Sequence, residues 1–149
     1  MGTGSGPLIG VVNPDEAWRV LVAEKFARLI DVRTYAEWQF VGVPDIGELG
    51  KTPLLIEWSS YPAMSRNPTF EAEVEAAIGA EVPGPLLFIC RSGARSLQAA
   101  MAVAGHYSGK GVSVRCLNVA EGFEGDLDAS GHRGGQNGWK ARGLAWRQS

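Results

Sequence analysis

The chain is short of several things, and each shortage closes a class of function. It has two cysteines in 149 residues, Cys90 and Cys116. That is too few for a disulfide scaffold, and neither stands in a C-x-x-C pair. It has two histidines, His106 and His132, far apart in sequence and with no carboxylate at ligand spacing, so no metal is expected. No apolar run reaches the ~18 residues of a membrane-spanning helix. Excess charge is missing too: 14 Lys and Arg against 16 Asp and Glu leave −2, with a pI near 5.7. A nucleic-acid binder carries a basic footprint that this chain lacks. The opening residues have neither the basic start nor the apolar middle of a secretory signal, so the expected location is the cytoplasm. Acidic residues stop at Asp128, and Arg133, Lys140, Arg142 and Arg147 beyond it read as a solvated surface.

What is present describes an ordinary globular domain. Hydrophobic residues make up 45% of the chain, enough to bury a core. Glycine, at 20 of 149 residues, is about twice its usual ~7% share. No repeat, linker or composition break divides the sequence. One domain over residues 1–149 is expected, with residues 1–7 as a flexible lead-in.

Helical and strand patterns alternate along the chain, which predicts an α/β layering. Asn13-Pro14-Asp15-Glu16 opens a helix with an Asn cap, Pro in the first position and acids in the first turn. Arg28 to Arg33 reads as a short buried strand, after which Thr34 caps a short helix carrying Glu37 and Trp38. Gly42 to Pro53 is expected to be loop, Leu54 to Trp58 a second strand, and Asn67-Pro68 the start of a helix ending at Gly79. Leu86-Leu87-Phe88-Ile89 is a continuous apolar run, as in a strand covered on both faces. Helical spacing resumes from Ser96 until Gly109 and Gly111, and a last strand spans Val112 to Val119.

The covered strand runs straight into Cys90-Arg91-Ser92-Gly93-Ala94-Arg95-Ser96. In open α/β sheets, ligand sites form beyond the carboxyl ends of the strands. Backbone N–H groups of such a loop and of the first helical turn make an anion-binding nest. The helix dipole and the Arg91 and Arg95 guanidiniums favour a thiolate, and Gly93 supplies a left-handed residue or a close approach. A buried, inert cysteine ending a core strand is the alternative, but two arginines within five residues suit burial poorly. Cys116 lies inside an alternating strand pattern with only Arg115 as a basic neighbour.

At these residues the chain resembles the rhodanese-like domains, single-domain sulfurtransferases. Leu29-Ile30-Asp31-Val32-Arg33 with Tyr35-Ala36-Glu37-Trp38 is similar to that family's D-V-R…E-W/F element. Leu87 to Ser96 is similar to its catalytic strand and loop. Asn118 to Phe123 and Gly138 to Leu144 are similar to its closing G-G…W…G-L-P element. Three motifs in order cover nearly the whole chain. Three departures stand out: Val43 replaces the usual His, Ala145 replaces the usual Pro, and an insertion from Glu124 to Asn137 splits the closing element.

The resemblance implies a parallel, roughly five-stranded sheet flanked by helices, and a persulfide on Cys90 with neither metal nor cofactor. The donor would be a small sulfur-bearing anion such as thiosulfate. The acceptor would be cyanide, a thiol or a sulfur-accepting protein, in two half-reactions. Mercaptopyruvate fits less well, because that branch of the family uses another loop sequence. Backbone N–H groups from Arg91 through Ser92, Gly93, Ala94 and Arg95 to Ser96 would hold the terminal sulfur. Asp31 and Arg33 would brace the active loop, with a loop arginine, Arg95, as the natural partner of a buried Asp31. Two rival readings remain. A Cys-dependent phosphatase needs Cys, five residues and then Arg, but Arg95 comes one place early. A non-catalytic binding or sulfur-carrier module is the other.

Overall fold

The computed structural model describes residues 8–80 and 83–148; the lead-in expected over residues 1–7 lies outside the described residues. Strand β1 (Leu8–Val12) gives way to helix α1 (Pro14–Ala23) at the Asn13 cap. Asn13 Oδ1 accepts from the Glu16 N–H at 2.8 Å, and the Glu16 carboxylate accepts from the Asn13 N–H at 2.8 Å. Two of the helix's orphan N-terminal donors are satisfied in this way. β2 (Arg28–Asp31) and α2 (Tyr35–Phe40) repeat the arrangement, with Thr34 and Glu37 forming the second capping box.

The middle of the chain is less regular than expected. The stretch from Gly42 to Pro53 is not all loop: it holds β3 (Val43–Pro44) and a single 3-10 turn, Gly47–Leu49. β4 (Leu54–Leu55) is shorter than the apolar run suggests, and a small antiparallel pair, β5 (Ser59–Ser60) and β6 (Ser65–Arg66), follows it. Helix α3 (Phe70–Ile78) begins beyond the Asn-Pro step, and Asn67 instead accepts from the Thr69 N–H at 3.1 Å. β7 (Leu86–Ile89), α4 (Ala94–Ser108), β8 (Arg115–Val119) and β9 (Trp146–Arg147) complete the order.

Five strands form one parallel sheet in the order β1-β8-β7-β2-β4, as the resemblance implies. β3 and β9 pair separately and antiparallel. The centre of the sheet is β7, whose four residues are all fully buried. Strand alternation sends Leu86, Phe88 and Cys90 to one face and Leu87 and Ile89 to the other. The first face packs on α3 and α4 through Phe70, Val74, Ala100, Val103 and Ala104. The second packs on Ala17, Leu21, Phe123 and Trp139. Burying a side chain such as Phe88 contributes roughly 1.5–3 kcal/mol, so the cysteine ends the best-held strand of the sheet.

Candidate active site

β7 stops at Ile89 and Cys90 follows at its carboxyl end, one strand in from β2 and one from β8. Helix α4 starts at Ala94, two residues earlier than the spacing predicts, so Arg95 and Ser96 lie in its first turn rather than in a loop. The residue that permits this is Gly93, with φ 110°. A Cβ there would meet nothing closer than 3.6 Å, so the demand for glycine is one of backbone conformation, not of space.

Two donors converge on the sulfur. The Gly93 N–H reaches Cys90 Sγ at 3.1 Å and the Ser96 hydroxyl at 3.2 Å. Ser96 Oγ also lies 2.5 Å from Asn118 Oδ1, and the Asn118 amide in turn donates to the Gly93 carbonyl at 3.1 Å. The serine has one proton for two acceptors. Among Arg91 to Ser96, only Gly93 and Ser96 donate to the sulfur; Arg91 and Ala94 are exposed and Ser92 is half-buried.

The loop is closed from behind by the segment after β8. Phe123 N–H donates to the Cys90 carbonyl at 2.8 Å, and the N–H groups of Glu124 and Gly125 donate to the Arg91 carbonyl at 3.0 and 3.1 Å. Because peptides are trans, pulling those two carbonyls toward 123–125 aims the N–H groups of Arg91 and Ser92 the opposite way. Gly122 makes the approach possible. It has φ 67°, and a Cβ there would fall 2.6 Å from the Arg91 and Cys90 backbone.

The arginines pair differently from the expectation. Asp31 is bound not by Arg95 but by Arg33, with Nη2–Oδ2 at 2.6 Å and Nε–Oδ1 at 2.9 Å, both side chains fully buried. Arg33 can fold back because it is two residues beyond Asp31 at the same strand end. Its Nη2 also donates to the Gly42 carbonyl at 2.7 Å, and its guanidinium lies 4.3 Å from the Phe123 ring centroid. The pair therefore braces Gly42 and the closing segment, where Phe123 in turn holds the Cys90 carbonyl. Arg95, turned toward the start of α2, forms a two-armed bond with Glu37 at 2.8 and 3.0 Å. Burial alone would raise the Glu37 carboxyl, but Arg95 and Thr34 outweigh it and hold it at about 2.

Beside the loop lies a cleft of about 410 Å³, lined by Glu37, Tyr61, Met64, Arg91, Arg95, Glu124, Leu127, Gly131 and Arg133. Cys90 is 1% exposed and is not part of the lining, to which its loop contributes Arg91 and Arg95. The insertion thus forms part of the cleft wall, and Arg133 does not belong to an undifferentiated solvated surface. Sequence reasoning assigned no role to Glu37, Asn118 or Arg133. Glu37 carried a signal as the acid three residues after the Thr34 cap, and Asn118 as the first residue of the closing motif; Arg133 carried none. Cys116 is a different environment: burial pushes its thiol up to about 12.

No protein-family model matches the chain. A Rickettsia prowazekii protein (strain Madrid E) called uncharacterized protein RP600 is 31% identical over 142 residues, covering 94% of this chain and 98% of that one. Among solved structures, Rv0390 from M. tuberculosis matches with 42% identity and a TM-score of 0.81, covering 95% of this chain and 99% of that one. The polysulfide-sulfur transferase homodimer of Wolinella succinogenes shares the fold at TM-score 0.58 and 19% identity, over 95% of this chain and 80% of its own. A rhodanese-like domain protein from Staphylococcus aureus does so at 0.53 and 17%, over 94% and 98%. With its three motifs brought together at the end of β7, the chain belongs with Rv0390 and the Rickettsia protein RP600, and it has the fold of the rhodanese-like domain proteins.

Proposed function

We propose that the protein is a sulfurtransferase that carries a sulfane sulfur as a persulfide on Cys90, acting as a single domain without metal or cofactor. The observation that carries this reading is the pair of donors, Gly93 N–H and Ser96 Oγ, aimed at Cys90 Sγ from the first turn of α4. Two donors on one sulfur suit a nucleophile that both attacks and leaves with its electron pair. The fold shared with the Wolinella polysulfide-sulfur transferase points to the same chemistry.

In the first half-reaction the Cys90 thiolate attacks the outer sulfur of thiosulfate. A Cys90 S–S bond forms, the S–S bond of the donor breaks, and its electron pair leaves with sulfite. In the second, cyanide or a thiolate attacks the terminal sulfur, and the electron pair returns to Cys90. Arg91, exposed beside the nucleophile, binds the anionic end of the donor. The backbone N–H groups of Arg91, Ser92, Gly93, Ala94, Arg95 and Ser96 form the anion nest. The Glu37–Arg95 and Asp31–Arg33 pairs hold its frame. The partners this chemistry takes are a small anionic sulfur donor and a thiol, cyanide or sulfur-accepting protein.

Intact mass spectrometry after incubation with thiosulfate tests the reading. A gain of one sulfur by the wild type and none by Cys90→Ser is expected. An unchanged mass, or Cys90-dependent hydrolysis of an aryl phosphate as efficient as sulfur transfer, would overturn it.

A further inference from the structure

The cleft beside Cys90 is built for more than an inorganic ion. Its volume of about 410 Å³ falls in the range of sites that take small organic molecules, and thiosulfate fills only a small part of it. Three of its lining residues, Tyr61, Met64 and Leu127, are large, apolar and 62%, 39% and 54% exposed. The lining is mostly polar, and these three side chains give it the apolar contact that an organic body would use.

The charges of the lining are not all committed. Glu37 is occupied by Arg95, whereas Arg91, Arg133 and the carboxylate of Glu124 have no ion-pair partner among the described residues, which leaves two cations against one anion. Arg91 adjoins the nucleophile. Arg133 comes from the far limb of the insertion, and its position is fixed. Its Nη1 donates to the Gly125 carbonyl at 2.7 Å, while the Gly125 N–H donates to the Arg91 carbonyl at 3.1 Å. One residue, Gly125, therefore links Arg133 to the cysteine loop. The limb is also held by its own contacts. Asp128 Oδ1 accepts from the N–H groups of Ser130 and His132, each at 2.9 Å, and Gly134 N–H donates to the Glu124 carbonyl at 2.7 Å. One N–H of Arg133 is used in this way, and the rest of the fork remains for a ligand.

The geometry points to an organic sulfur donor that carries a second anionic group remote from its reacting sulfur, with Arg133 as the residue that selects it. This rests on the sulfurtransferase reading above. Arg91 takes the oxygens next to the sulfane sulfur, Tyr61, Met64 and Leu127 flank the organic body, and Arg133 takes the distal carboxylate or sulfonate. With an organic thiosulfonate, R–SO₂–S⁻, the Cys90 thiolate forms a bond to the outer sulfur and the donor's S–S bond breaks. The electron pair departs with the sulfinate R–SO₂⁻, so atoms and charge balance without a further reactant.

The test uses two donors identical at sulfur, benzenethiosulfonate and para-carboxybenzenethiosulfonate. The readout is the ratio of their kcat/KM values in transfer to cyanide. In the wild type the carboxylated donor should be preferred about tenfold, the worth of one charge-assisted hydrogen bond. Arg133→Gln should bring the ratio to about one, and Arg133→Lys should restore part of it. Arg133→Glu should invert it and favour a para-aminomethyl donor, a gain that misfolding cannot mimic. A wild-type ratio of one, or a ratio that survives Arg133→Gln, overturns the assignment of Arg133 while leaving persulfide chemistry standing. Failure of every donor to place sulfur on Cys90 removes the underlying reading as well.

Discussion

The carboxylate of Glu37 accepts both arms of the Arg95 guanidinium, at 2.8 and 3.0 Å, while its Oε1 also accepts from the Thr34 N–H at 3.1 Å. One side chain thus caps α2 and anchors the first turn of α4, the turn that presents Ser96 to the sulfur. Its bond to Arg95 spans 58 positions of chain and joins two motifs that are separate in the sequence.

Arg91 and Arg95 are therefore expected to fail differently. Arg91→Ala should raise the KM for thiosulfate and leave kcat and Tm nearly unchanged, as loss of ground-state binding does. Arg95→Ala should lower Tm by several degrees, since it leaves Glu37 without its main partner at a cost of roughly 1–3 kcal/mol. Steady-state kinetics and melting curves on both proteins decide the point. A stable Arg95→Ala with only a KM defect would reverse the two roles.

The Glu37 carboxyl also predicts an acid limb of stability. Its folded-state value of about 2 lies below the ordinary 4.5. The unfolded chain therefore binds the proton first, and stability is lost as pH falls from about 4.5 toward 2. The difference corresponds to about 3 kcal/mol at most, less what solvent removes, because the Arg95 side chain is 21% exposed. Urea melts at pH 6 and pH 3 should show the loss in the wild type and a smaller one in Glu37→Gln. Equal slopes in the two proteins would refute it.

The two cysteines should separate cleanly. Cys116, with its thiol pushed up to about 12, stays protonated near neutral pH and is a poor nucleophile. Cys116→Ser should keep most sulfur loading and Cys90→Ser none, measured by intact mass and by thiosulfate:cyanide turnover. A dead Cys116→Ser protein that is still folded would place the site elsewhere.

Breaking the buried Asp31–Arg33 pair should be the most damaging of these changes. Asp31→Ala strands a guanidinium that is fully buried, at roughly 3–5 kcal/mol. Denaturant unfolding measures this directly, and a loss below about 1 kcal/mol would mean that the pair is not needed for folding.

Much of this architecture is legible in the residues. The caps at Asn13 and Thr34, the covered strand ending at Cys90 and the glycine needed at position 93 all depend on local chemistry. What escapes is what tertiary contact decides. β1 hides because Gly10 interrupts its apolar run, and the reason lies across the sheet: a Cβ there would fall 2.7 Å from Leu117 Cδ2. The partner of Asp31 is misread because a strand-end arginine folds back before the loop arginine can reach it. Arg133 is lost in a run of basic residues whose path back to the cleft is set by hydrogen bonds at Gly125 and Asp128, which no periodicity encodes.

The strand order carries a cost during synthesis. β1 has one neighbour in the sheet, β8, so this strand waits unpaired until Arg115–Val119 has left the ribosome. Val43–Pro44 waits for Trp146–Arg147, almost as far along the chain. Residues 8 to 12 are thus exposed apolar backbone for most of translation, and the long-range pairing that finally covers them is the slow kind. The hollow beside the cysteine loop can be completed only once Arg133, the last residue of its wall, has been made.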